Sequence, residues 1–125
     1  MRLQALDTNK AARVRELCDA IVPGSAAVGP EVYVDALLAR MSEPERLAAL
    51  VDLDAALAAL ERGELHAIAG TPAFARMRAL AIEAYYSDFV ADGAPGPGAY
   101  KRIGFEFPLA DRVRKGWSYL GIGDG

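Results

Sequence analysis

The sequence predicts a mainly α protein: a small antiparallel bundle of about four helices, followed by an extended glycine- and aromatic-rich C-terminal arm. Three observations lead there. Between Thr8 and Tyr86 the apolar residues recur at three- and four-residue steps, and no strand alternation competes. Helix start and stop signals punctuate that stretch at short intervals. Past Tyr86 the period dissolves, and residues 87–125 hold 8 of the 12 glycines and the single tryptophan.

The first helix runs from Thr8 with Ala11, Val14, Leu17, Cys18 and Ile21 on one face. Asp7 or Thr8 caps it, and Pro23-Gly24-Ser25 stops it. A short second helix opens at Pro30, a favoured first-turn residue, and turns Val34, Leu37, Leu38 and Met41 inward. Ser42-Glu43-Pro44-Glu45 has capping-box spacing, in which the serine oxygen and the Glu45 carboxylate satisfy each other's free backbone donors. Behind it Leu47, Leu50, Val51, Leu53, Leu57 and Leu60 read as an apolar stripe on an alanine-rich background. Gly63 ends that helix in a left-handed cap. Gly63 to Gly70 makes a short helical turn, and Thr71-Pro72 restarts helix with Phe74, Met77, Leu80, Ala81, Ile82 and Tyr85 inward. A helical body over about residues 7–86 and an arm over about 87–125 make one domain.

The bulk properties exclude several classes. A formal charge of −3 leaves no surplus of Lys and Arg to neutralise phosphates, which argues against general nucleic-acid binding. Acids dominate residues 1–64, while Lys101, Arg102, Arg112, Arg114 and Lys115 crowd near the end. That basic end suits either solvent or an acidic partner face. One cysteine allows no intrachain disulfide and no cysteine metal cluster. Neither an apolar run of membrane-spanning length nor an export signal is expected, so the expected location is cytoplasmic, or export in company with a partner.

Catalytic groups are sparse. Cys18 sits on the apolar face of the first helix, where it reads as a small hydrophobe, and His66 lies in the short turn with Leu65 and Ile68. A small enzyme using Cys18 and His66, or the Tyr85-Tyr86 pair, is one alternative. No spacing favours a metal site, Asp52 and Asp54 being two residues apart on a helix. The Gly93 to Gly98 loop lacks the lysine of a phosphate loop and follows a helix. A free-standing helical adaptor or regulator is the second alternative, and its helix-turn-helix form fits poorly with the acidic charge.

Leu17-Cys18-Asp19-Ala20-Ile21-Val22-Pro23-Gly24, followed by Gly29-Pro30-Glu31-Val32, resembles the opening of the gluconate 2-dehydrogenase subunit 3 family. Ala84-Tyr85-Tyr86-Ser87-Asp88 is similar to that family's "gYYsd" signature, and Tyr100-Lys101-Arg102-Ile103-Gly104-Phe105 to its "Y..iG" segment. The resemblance runs in order from about Leu17 to Ile122. It implies a non-catalytic small subunit that stabilises or matures an FAD-dependent oxidoreductase of the glucose-methanol-choline group, acting on sugars, sugar acids or glycosides. The FAD belongs to the partner, this chain itself holding no cofactor, and a cytochrome c subunit is a further companion it allows. Many members carry a twin-arginine export signal, and none is expected here.

Residues and resemblance meet in the tail. An aromatic arm without a core of its own either wraps a larger subunit or folds back over the helices. The expected partner contacts are Tyr85, Tyr86, Tyr100, Phe105, Phe107, Trp117 and Tyr119, with Arg102, Arg112 and Arg114 supplying charge-assisted bonds to carboxylates.

Overall fold

A computed structural model describes residues 3–102 together with Leu120 and Gly121. It is mainly helical, with no strand among the described residues. Four helices form the body: α1 (Thr8–Ile21), α2 (Pro30–Arg40), α3 (Glu43–Glu61) and α4 (Pro72–Tyr86), with a single-turn α5 (Ala99–Arg102) beyond them. Short 3-10 turns at Ser25–Val28 and Leu65–Ile68 join α1 to α2 and α3 to α4. Every pair among α1, α2, α3 and α4 is in contact, and α5 packs on α4.

Local chemistry sets the helix boundaries. Asp7 accepts from the Lys10 N–H at 2.7 Å and starts α1. Thr71 accepts from the Phe74 N–H at 3.2 Å and starts α4. Helix α3 ends in a full Schellman motif: Glu64 N–H donates to Ala59 C=O at 2.8 Å and Gly63 N–H to Leu60 C=O at 3.0 Å, with Gly63 at φ +69°. The capping box at Ser42 differs in one detail from the expected pattern. Ser42 Oγ does accept from the Glu45 N–H, but the return bond joins Ser42 Oγ to Glu45 Oε1 at 3.1 Å and does not reach the serine's own N–H.

One core unites the helices, with Val14, Leu17, Tyr33, Leu38, Leu53, Leu57 and Met77 all buried. The α3 stripe needs correction. Leu53 and Leu57 are buried, whereas Leu47 is 55% and Val51 67% exposed. Residues two apart on a helix lie about 200° apart, so Leu47 and Val51 oppose Ala49 and Leu53 and cannot share their face. The buried face is Ala49, Leu53, Ala56, Leu57 and Ala59, with Leu50 and Leu60 of the expected stripe packed against the same core.

Asp35, on the core face of α2, is 2% exposed. Its carboxylate accepts from the N–H groups of Gln4, Ala5 and Leu6, each at 2.8 Å, and so ties down a non-helical N-terminal strap. Three charge-assisted bonds replace water around the buried charge. Leu6 enters the core beside it, 5% exposed.

Exposed ion pairs decorate this frame. Asp54 meets Lys10 of α1 at 2.9 Å and Asp52 meets Arg76 of α4 at 3.0 Å, so these two acids project to different neighbours as their spacing requires. At such exposure each pair contributes at most about 1 kcal/mol.

The face of α3 is checked by two substitutions in urea unfolding. Leu53→Ala is expected to cost about 3 kcal/mol. Val51→Ala is expected to stay within about 0.5 kcal/mol.

Candidate partner interface

The chain leaving α4 turns back over the body. Asp88 takes the left-handed conformation, φ 65°, which Asp tolerates better than most residues. Its Oδ1 accepts from the Tyr100 N–H at 3.0 Å, and so closes residues 88–100 into a loop that starts α5. Gly98 passes so near that carboxylate that a Cβ there would overlap Asp88 Oδ1.

This loop is seated on the 3-10 turn after α1. Ala91 N–H donates to Val28 C=O and Gly96 N–H to Ala27 C=O, both at 2.8 Å. The turn is itself prepared by Asp19, whose Oδ1 accepts from the N–H groups of Gly24 and Ala26, each at 3.0 Å. Glycines in the left-handed conformation bound it on both sides, Gly24 at φ +91° and Gly29 at φ +68°. A Cβ on Gly29 would stand 2.7 Å from Ala91 Cβ, so the close seating of the loop requires glycine there.

Two aromatic contacts complete the seat. Phe89, 2% exposed, meets Tyr33 edge-to-face with ring centroids 5.4 Å apart. The Tyr33 hydroxyl donates to Glu83 Oε2 at 2.8 Å and links α2 to α4. Tyr85, Val28 and Ala99 form a small second core of their own.

Of the expected partner contacts, Tyr85 is 4% exposed and so is a packing residue inside the fold, not a surface residue. Its period along α4 placed it inward, and that is where it lies. Tyr86 faces outward, 52% exposed, with its ring 5.0 Å from that of Tyr85 in an edge-on contact. Tyr100 is 39% and Val90 38% exposed. Arg102 is also exposed, and its Nη1 donates to Gly24 C=O at 3.2 Å. Phe105, Phe107, Arg112, Arg114, Trp117 and Tyr119 lie outside the described residues. The end of α4, the loop and α5 thus present Tyr86, Val90, Tyr100 and Arg102 on a hydrogen-bonded base. Val90 carried no sequence signal beyond residue type, and the segments that contain Asp19 and Asp88 gave no sign of their hydrogen-bond partners, which are set by the turn geometry.

A cleft of about 220 Å³ adjoins this base, between the start of α2 and the loop at Ala91 to Pro95. At its edge Arg15 Nε pairs with Glu31 Oε2 at 3.2 Å. Cys18 is buried nearby, and burial, then the charges of Glu31 and Asp19, push its thiol from 9.0 up to about 12. Such a thiol is protonated and shielded at neutral pH, the opposite of a nucleophile's setting. His66 lies exposed in the Leu65–Ile68 turn. Among the described residues no group of His, Cys, Asp and Glu converges as a metal site, and no helix is long and apolar enough to cross a membrane.

Comparison with family models, with curated proteins and with solved structures found no match to this chain.

Two measurements check this geometry. Gly29→Ala and Gly63→Ala both force a side chain into left-handed backbone, but Gly63 faces open space. Gly63→Ala is expected to cost about 1 kcal/mol and Gly29→Ala about 1 kcal/mol more, the excess reporting the pressed loop. For Cys18 the unfolded thiol ionises near 9 and the folded one near 12. Its share of stability is therefore full below about pH 9 and is lost as pH rises toward about 12. Cys18→Ala is expected to flatten the fall in urea midpoint between about pH 8 and about pH 10, and the native wild-type thiol is expected to resist labelling at about pH 8.

Proposed function

We propose that this chain is a non-catalytic small subunit that binds and stabilises, or helps to mature, an FAD-dependent oxidoreductase of the glucose-methanol-choline group acting on sugars, sugar acids or glycosides. The observation that carries the reading is a convergence in space. The resemblance to the gluconate 2-dehydrogenase subunit 3 family rests on segments far apart in sequence, and the described parts of those segments form one hub. Asp19 and Gly24 of the first build the turn, and Tyr85 and Asp88 of the second pack on it and close the loop. Tyr100 and Arg102 of the third are held there by Asp88 and by the Gly24 carbonyl.

A purely internal hub would bury its aromatics. This one buries Tyr85 and leaves Tyr86, Tyr100 and Arg102 exposed. Tyrosine and arginine are the side chains that dominate interface hot spots, because each covers apolar area and still offers a hydrogen-bond donor. Substrate oxidation belongs to the partner, whose FAD accepts the hydride. This chain supplies surface.

Co-expression with a flavoprotein of that group tests the reading. Flavin-loaded dehydrogenase is expected to co-purify with this chain. Tyr86→Ala with Tyr100→Ala is expected to weaken the complex by about 30-fold or more, on the order of 2 kcal/mol, without changing the thermal midpoint of the isolated chain by more than about 3 °C. Full flavoprotein activity in the absence of this chain, with no complex on a sizing column, would sink it.

A further inference from the structure

At the opposite end of α2 from the hub, Arg40 touches both ends of the described chain. Its Nη2 donates to Gln4 Oε1 at 3.0 Å. Its guanidinium also covers Gly121, at φ +72°, so closely that any Cβ on that residue would overlap it. Leu120, the neighbour of Gly121, is 0% exposed and belongs to the same core as Leu6. Five residues earlier on α2, Asp35 holds the strap that positions Gln4.

We propose that α2 acts as a clasp that couples the two chain ends, so that release of the N-terminal strap loosens the Leu120 anchor and displacement of that anchor loosens the strap. The strap is a two-state element by construction. Residues 4–6 give their N–H groups to one carboxylate and to no helix, so they leave it together. When they leave, Gln4 is withdrawn from Arg40, and the guanidinium loses the bond that holds it across Gly121. The reverse path uses the same contacts, because coupling between two sites is reciprocal. The strap also forms part of a cleft of about 450 Å³ with Ala39, Arg46 and Leu50, so its release opens that surface as well.

Amide hydrogen exchange on the full chain decides the matter. Gln4→Ala removes only the side-chain link to Arg40. It is expected to speed exchange at residues 120–121 by about tenfold, while residues 53–57 in the middle of α3 keep their wild-type rate. Gly121→Ala is expected to speed exchange at residues 4–6 by a similar factor. Asp35→Asn is expected to release both ends together, and where that variant does not fold the other two are sufficient. Wild-type rates at 120–121 in Gln4→Ala, or at 4–6 in Gly121→Ala, would overturn the coupling, since linkage demands both.

Discussion

The arrangement of residues 88–102 depends on two carbonyl groups. Ala27 and Val28 lie in a turn between helices, where their C=O groups point away from any helical partner and accept the loop's N–H groups at 2.8 Å. Each bond alone adds about 1 kcal/mol. Their structural effect is larger, because the loop they seat carries Phe89 into the core and delivers Asp88 to the start of α5. Turn conformation, loop path and α5 are therefore links in one chain that begins at Asp19. Without a carboxylate to gather the N–H groups of Gly24 and Ala26, the turn would have no reason to hold those carbonyls outward.

The same device recurs in three of the irregular segments. Asp19 organises the turn after α1, Asp35 the strap before it, and Asp88 the loop after α4. Helices satisfy their own backbone, whereas irregular segments packed on a core must find acceptors elsewhere. A carboxylate serves well because it accepts several bonds and shares one charge among them. The excess of acids in residues 1–64 is therefore partly internal architecture: Asp35 is buried, and Asp19 is spent on backbone amides. Net charge alone would have credited both to the surface.

What was legible in the sequence was local. Asp7, Ser42, Gly63 and Thr71 act within a few residues of themselves, and each marks a helix end where its type and spacing place it. The inward face of α3 was legible only in part: Leu53 and Leu57 are buried with Leu50 and Leu60 packed against the core, whereas Leu47 and Val51 face outward, because a helix with apolar residues all round offers more than one apolar face to a pattern that counts residues. Packing chose the side that carries Ala49, Leu53, Ala56 and Leu57. Asp35 reaches back about 30 residues and Tyr33 forward to Glu83, and no periodicity carries contacts of that range. At the hub, residue type pointed to Tyr85, Tyr86, Tyr100 and Arg102 alike, while the helical period, which turns Tyr85 inward, already set it apart from its exposed neighbour Tyr86.

That separation bears on how the hub would bind. An aromatic on a free segment must be ordered on contact, and each immobilised side chain then costs about 0.5–1.5 kcal/mol. Tyr86 stands at the end of a helix against the ring of Tyr85, and the backbone of Tyr100 is fixed by Asp88. Both are held before any partner arrives, so more of their burial is retained as affinity. The cost of holding them has already been met in folding, by the bonds from Asp19 to the turn and from the turn to the loop. In the proposed complex, stability of the turn would support affinity at the surface: a substitution that loosens Ala27 and Val28 would weaken binding without touching any residue of the proposed interface.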